Sequence, residues 1–232
     1  MIIIDWNDKE SMKDAGDIVK VVSNPLLDQP EVQLFTRTGQ LEGLLFRNFP
    51  KIRAKEKFIK NCAFENCGYL SFESCEVRMC VFFSVDTMSF DDSIVIGGNF
   101  QQLCSCYGEL ILLKNSIMTG GIFTNITLAN KSYLCMGEGD SKVELCTFYK
   151  IRTDREDKAI FHYRASKDTS LEKQPTYVFI DEESCCGKEE ISLAKQYCPE
   201  RDREISRLLC TGPYILPNFP KRSKSPCIRK RK

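Results

Sequence analysis

Short apolar segments alternate with Asn, Gly, Asp, Ser and Glu from about residue 58 to residue 163. Within this region a small residue, any residue and then Phe recur, and the steps between these phenylalanines are 18, 18, 23 and 25 residues. The copies are Cys62-Ala63-Phe64, Cys80-Val81-Phe82, Gly98-Asn99-Phe100, Gly121-Ile122-Phe123 and Cys146-Thr147-Phe148. Three short strands in each copy of about 20 residues are typical of a β-solenoid, in which stacked rungs bury a continuous core.

The repeat predicts a mainly β protein with a parallel β-helix-like solenoid of about five irregular rungs and a small helical C-terminal cap. The five phenylalanines are expected to form one stack, and the small residue before each would leave room at a corner. Cys62 and Cys80 would then lie in register inside the core. Asparagines are expected at the turns, because Asn tolerates the left-handed backbone conformation. These are Asn61, Asn66, Asn115, Asn125 and Asn130. An antiparallel β-sandwich is the alternative, because it also has short strands separated by turn signals.

The rest of the chain divides into three further regions. Residues 1–50 are predicted to form an N-terminal cap, with a short helix over 11–22 and a hairpin or poorly formed first rung over 32–46. Residues 51–165 would be the solenoid. Residues 166–218 would add a strand at 176–180 and a pair of helices, 189–198 and 200–210, that closes the end of the solenoid. Residues 219–232 read as a disordered basic tail.

The charge is unevenly distributed. The formal net charge is +1, but the last 12 residues hold seven Lys or Arg and no acid, so the remainder carries −6. The basic residues of this tail are Lys221, Arg222, Lys224, Arg229, Lys230, Arg231 and Lys232. Such a terminus is available to an import receptor or a polyanion, and nuclear targeting is the leading interpretation. Weak contact with nucleic acid or an anionic membrane, or simple solubilisation, are the alternatives. Ser225, followed by Pro226, is a possible phosphorylation site that would reduce the local charge.

No apolar run is long enough to predict a membrane-spanning helix, and the first residues lack the basic region of a signal peptide. The sequence therefore predicts an intracellular protein of the nucleus and cytoplasm. In that setting its 13 cysteines are expected to be reduced, and an odd number also fits poorly with a fully paired disulfide framework.

Candidate chemical sites are weak. The spacing of Cys62, Cys67, Cys75 and Cys80 fits a structural zinc site poorly. The same is true of Cys104 with Cys106, and of the group Cys185, Cys186, Cys198 and Cys210. Buried structural thiols are therefore the favoured interpretation. His162 is the single histidine. Carbohydrate-active β-helices use surface carboxylates, for which the candidates are Asp86, Asp91 and Asp92. The alternating basic residues from Lys51 to Lys57 favour a solvated strand over a phosphate-binding strip. No catalytic residue, cofactor or metal is predicted.

These observations favour a non-enzymatic protein-interaction scaffold or adaptor. A pathogen factor that engages host proteins fits equally well. Its expected partners are other proteins, an import receptor through the tail, and a second copy of the chain. A carbohydrate-active β-helix enzyme and a nucleic-acid-binding protein that uses the tail are the alternatives.

Overall fold

The computed structural model describes residues 1–22, 30–105, 108–129, 132–153, 161–163 and 176–180. In these residues the chain winds into a parallel β-solenoid of about five turns, which confirms the predicted fold class and excludes the sandwich. The elements are β1 Ile2–Asp5, α1 Lys9–Asp14, β2 Val19–Val22, β3 Glu31–Leu34, β4 Gln40–Glu42, β5 Leu44–Arg47, β6 Lys51–Lys55, β7 Phe58–Lys60, β8 Ala63–Glu65, β9 Tyr69–Glu73, β10 Glu76–Arg78, β11 Val81–Phe83, β12 Thr87–Asp91, β13 Ile94–Ile96, β14 Asn99–Gln101, β15 Cys104–Ser105, β16 Glu109–Lys114, β17 Ile117–Thr119, β18 Ile122–Leu128, β19 Tyr133–Glu138, β20 Lys142–Thr153, β21 Phe161–Tyr163 and β22 Thr176–Ile180.

Each rung has three sides, and each side is a parallel ladder. Side 1 contains β3, β6, β9, β12, β16, β19 and β21, with β2 antiparallel at its edge. Side 2 contains β4, β7, β10, β13, β17 and the first part of β20. Side 3 contains β1, β5, β8, β11, β14, β18 and the second part of β20. We number the rungs from rung 1 (β3, β4, β5), which precedes the five predicted repeats, to rung 6 (β19, β20).

A left-handed residue marks each corner and keeps the hydrogen-bond ladder continuous. Asn61 has a φ of 52°, and its N–H donates to the carbonyl oxygen of Arg78 in the next rung at 3.0 Å. The other predicted turn asparagines in the described part of the chain, Asn66, Asn115 and Asn125, also have positive φ. Asn130 lies outside the described residues. Because the corner N–H groups pair with the next rung, the turns leave few backbone donors unsatisfied.

A column of phenylalanine rings fills the core behind side 3. The predicted members Phe64, Phe82, Phe100, Phe123 and Phe148 pair in register, and all are buried. Consecutive rings stack with centroids 4.5–5.4 Å apart. The column has one member more than predicted, since Phe46 stacks on Phe64 at 5.2 Å. Offset stacks of this kind add to the gain from burial.

The N-terminal region differs from its predicted secondary structure. The helix spans Lys9–Asp14 rather than 11–22, because Asp8 caps its N-terminus and the β-branched residues that follow form β2. Ser11 does not cap this helix. Its hydroxyl donates to the carbonyl oxygen of Ile3 at 3.1 Å and accepts from the N–H of Asp5 at 3.0 Å. The hydroxyl therefore closes part of the edge of β1, which would otherwise be open to another strand.

The segments 32–35 and 41–46 form the first rung rather than a hairpin, because β3, β4 and β5 each pair in parallel with the next rung. The predicted strand at 176–180 is β22, which pairs in parallel with β20. The predicted helices over 189–198 and 200–210, and the tail, lie outside the described residues. The domain boundaries stay a prediction.

Candidate interaction surface

Side 2 carries an apolar outer face on its middle rungs. A strand side chain points alternately inward and outward, and on β13 Val95 is fully buried while Ile94 is 43% exposed. Ile96 and, on the next strand, Ile117 also face outward and are partly exposed. Three of the four outward positions on β13 and β17 are therefore isoleucine, whereas the fourth is Thr119.

The corner beside this face adds two exposed apolar side chains. Met79 and Leu145 are each 54% exposed and have φ of 50° and 52°. A bulky residue in the left-handed region is an outlier. The same corner holds Gly97 and Gly120 on the rungs between them, both with φ of 65°. A Cβ atom added to Gly97 would lie 2.6 Å from Sδ of Met79, so the methionine side chain lies across this glycine.

We call Met79, Ile94, Ile96, Ile117 and Leu145 the isoleucine surface. Charged residues border it at both ends: Glu76 and Arg78 on rung 3, and Lys142 and Glu144 on rung 6. Glu76 and Arg78 form an ion pair, and the Arg78 guanidinium lies 5.6 Å from the ring centroid of Phe58. An apolar surface with a charged rim is the arrangement expected of a protein-binding site. The sequence did not predict it, because Ile94-Val95-Ile96 reads only as an apolar strand.

Three of the four basic residues of the predicted strip form ion pairs with acids on the neighbouring rungs. Lys51 forms an ion pair with Glu31 at 2.6 Å, and Arg53 and Lys55 form ion pairs with Glu73 at 2.9 and 2.7 Å. The hydrogen bonds from Lys55 and Arg53 lower the pKa of the Glu73 carboxyl. A shallow groove of about 370 Å³ lies beside Arg53 and Lys55. These pairs support the solvated-strand interpretation over a phosphate site.

The three candidate carboxylates do not converge. Asp86 precedes β12, whereas Asp91 ends that strand and Asp92 forms the corner after it. At about 3.3 Å per residue, the Cα atoms of Asp86 and Asp91 are roughly 17 Å apart. His162 lies in β21, as the strand-like pattern predicted, opposite Met136. The geometry therefore does not assemble Asp86 with the other two acids.

Cysteine and serine have the same role at the corners. The thiol of Cys75 donates to the carbonyl oxygens of Glu73 and Ala54, at 3.3 and 3.5 Å. The hydroxyl of Ser93, one rung later, donates to the matching oxygens of Asp91 and Phe72 at 2.8 and 3.1 Å. Cys62, Cys67 and Cys80 make the equivalent pairs of contacts. These cysteines are small inward donors, as the structural interpretation predicted.

The pKa is raised for most of the buried thiols, whereas the hydrogen bond to Cys80 lowers the pKa of Cys62. Burial raises the pKa of Cys67 to about 12 and that of Cys146 to about 12. The hydrogen bond to Cys62, together with burial, raises the pKa of Cys80 well above its usual value. Within the described residues no group of three or more His, Cys, Asp or Glu side chains could hold a metal ion. Cys106, Cys185, Cys186, Cys198 and Cys210 lie outside those residues.

The predicted tail residues, Lys221, Arg222, Lys224, Arg229, Lys230, Arg231, Lys232 and Ser225, all lie outside the part of the chain that the structure describes. Across the described ranges, none of the helices has the length and hydrophobicity needed to cross a bilayer. No protein-family model matches this chain, and no curated protein matches it.

Proposed function

We propose that this protein is a non-enzymatic interaction scaffold that binds other proteins through the isoleucine surface. The observation that carries the proposal is the exposure of Met79, Ile94 and Leu145 on adjoining parts of one rigid ladder. Contiguous apolar patches on a protein surface are often functional. The backbone ladder and the buried Val77, Val95 and Met118 behind it hold the surface in one conformation, so little ordering entropy is lost when a partner binds.

The backbone of Met79 supports the same proposal. Asn61 and Gly97 occupy its position on the neighbouring rungs, and both tolerate a positive φ better than methionine. A non-glycine residue in this region costs about 1–3 kcal/mol, and such strain often clusters at functional sites. A solvent-exposed methionine gains little from folding to offset that cost. Contact with a partner would give it a role.

The test is quantitative capture of partners by the intact chain from extracts, read by mass spectrometry. Met79→Asn keeps a residue suited to the corner and removes the apolar side chain. We expect it to raise the unfolding midpoint and to reduce capture of the specific partners at least tenfold. Val21→Asn, at a 47% exposed valine on β2, is the matched control and should leave capture unchanged. Equal capture by both variants, or capture of chaperones alone, would overturn the proposal.

We further propose that the basic tail directs the scaffold to the nucleus, giving it a nuclear and cytoplasmic distribution. Seven basic residues within Lys221–Lys232 and no acidic ones support this, since a clustered positive charge suits an acidic receptor groove. Deleting residues 221–232 from the full chain should abolish nuclear accumulation, and Ser225→Asp should weaken it. An unchanged distribution after the deletion would refute tail-directed import.

The two alternative functions have less support. The acids offered for carbohydrate chemistry are divided between opposite ends of β12, and the Lys51–Lys55 strip is paired with Glu31 and Glu73. A nucleic-acid function would therefore depend on the tail, and binding should then fall steeply as salt concentration rises.

A further inference from the structure

We propose that the isoleucine surface binds a second copy of this chain, in a two-fold dimer whose solenoid axes run antiparallel. This inference rests on the proposed function, because it uses the same surface, and it names the partner. The two-fold axis would lie along the strand direction and pass between rungs 4 and 5. Such an interface requires a surface that is complementary to itself.

The apolar residues of side 2 meet that requirement. The column that runs through Ile94 and Ile117 pairs in register, so the axis places Ile94 of one copy against Ile117 of the second copy. At the corner, the order along the solenoid is Met79, Gly97, Gly120, Leu145. The same axis places Met79 against Leu145 of the second copy, and it places the two glycines opposite each other. The bulky residues therefore lie at the two ends of the corner, and the Met79 side chain lies over Gly97.

The charged border is complementary under the same operation. Glu76 and Lys142 lie in one column, whereas Arg78 and Glu144 lie in the other. Rotation about the axis brings Glu76 opposite Lys142 of the second copy, and Arg78 opposite Glu144 of the second copy. Four pairs of opposite charge would thus surround the apolar centre. Complementary charge of this kind fixes register and excludes wrong partners.

A second two-fold axis, parallel to the solenoid, would also pair opposite charges, but it does not match the corners. It would bring Met79 against Ser74 and Leu145 against Gly139 at the other corner of side 2, with Asp92 and Asn115 on the rungs between them. Ser74, Asp92 and Asn115 are polar and exposed, and Gly139 has no side chain to pack against Leu145. The axis along the strands is therefore the one that buries the exposed apolar groups against each other.

The expected dimer is weak. Four rungs at about 4.8 Å span about 19 Å, and a three-residue strand with its corner spans about 16 Å, so the footprint is roughly 300 Å². Stable interfaces bury about 800 Å² on each partner. The dimer should accordingly form and dissociate with concentration, rather than behave as an obligate assembly.

Sedimentation velocity of the full chain between roughly 10 and 500 μM tests the proposal, in the weak-interface regime estimated above. The wild type should show a weight-average sedimentation coefficient that rises with concentration. Lys142→Glu would place a negative charge opposite Glu76 at two equivalent positions of the dimer. Its sedimentation coefficient should therefore stay at the monomer value. Glu76→Lys combined with Lys142→Glu should restore association. Lys20→Glu, an exposed position on β2, makes the same charge change elsewhere and should behave as wild type. Circular dichroism confirms that each variant is folded.

Three results would overturn the dimer: a monomeric wild type at the highest concentration, wild-type association by Lys142→Glu, or rescue of Lys142→Glu by Glu144→Lys instead of Glu76→Lys. The last result would select the other axis. A monomeric wild type whose partner capture still falls with Met79→Asn would refute the dimer and leave the proposed function standing.

Discussion

Replacing Phe82 should cost more stability than any surface change, because this ring is the hub of the aromatic core. It stacks on Phe64 and Phe100, with centroids 5.4 and 4.8 Å away, and meets Phe72 and Phe90 edge to face at 6.1 and 6.3 Å. The side chain is fully buried. Phe82→Ala removes the ring and leaves a cavity in the middle rung, which should cost about 4 kcal/mol. Phe82→Leu keeps much of the volume but loses the ring pairs, which should cost about 1–3 kcal/mol.

Urea unfolding followed by far-ultraviolet circular dichroism measures both variants. Solenoid stability is approximately a sum of the contributions of each rung and of its contacts with neighbouring rungs, so the urea midpoint of each variant should fall. The slope of the unfolding transition is compared with that of the wild type to detect partial unfolding. Phe35→Ala, at a 55% exposed ring, is the control and should stay within about 0.5 kcal/mol of wild type. A loss below about 1.5 kcal/mol for Phe82→Ala, less than the usual cost of a buried aromatic, would refute the stacked core.

Three further changes probe the edge and the corners. Ser11→Ala should accelerate hydrogen exchange at the Asp5 amide and cost about 1 kcal/mol of stability, because it removes the hydrogen bonds at the edge of β1. Ser11→Thr keeps the hydroxyl and should leave this exchange rate unchanged. Equal exchange rates in the two variants would contradict the role of Ser11 at the edge. Cys75→Ser should stay within about 0.5 kcal/mol of wild type, because Ser93 makes the same bonds, whereas Cys75→Ala should lose about 1–2 kcal/mol. The buried Cys67 thiol, with a pKa of about 12 against 9.0 when unperturbed, contributes stability that is complete below pH 9 and is lost as the pH rises toward 12. Between pH 8 and pH 10 the free energy of unfolding in urea should therefore fall by about 1.4 kcal/mol less in Cys67→Val than in wild type, with most of the difference above pH 9, and identical pH dependence would contradict this.

The phenylalanine column could be predicted from the sequence because stacking in register imposes a repeated residue at a nearly fixed step. Phe46 also lies 18 residues before Phe64, but Leu44 replaces the small residue two positions earlier, so the motif did not include it. The serine column of Ser93, Ser116 and Ser141 was missed for a different reason. Serine is common in loops, and only the paired carbonyl contacts reveal that it replaces cysteine.

The isoleucine surface could not be predicted, since alternation identifies an outward face only when that face is polar. In Ile94-Val95-Ile96 every position is apolar, and the register with Val77 and Met118 is needed to show which side faces the core. Methionine rarely adopts the left-handed backbone conformation that Met79 has in this structure. The ladder bond from its N–H to Ile96 holds it there, and local sequence carries no signal of that bond.

The most direct test of the interaction surface is capture of specific partners by the tagged, intact chain, compared with the same chain carrying Ile94→Lys. A charge at the centre of the isoleucine surface cannot be buried without a partner for it. We expect Ile94→Lys to lose the specific partners, while Val21→Lys retains them. Equal recovery by Ile94→Lys and wild type would contradict the account.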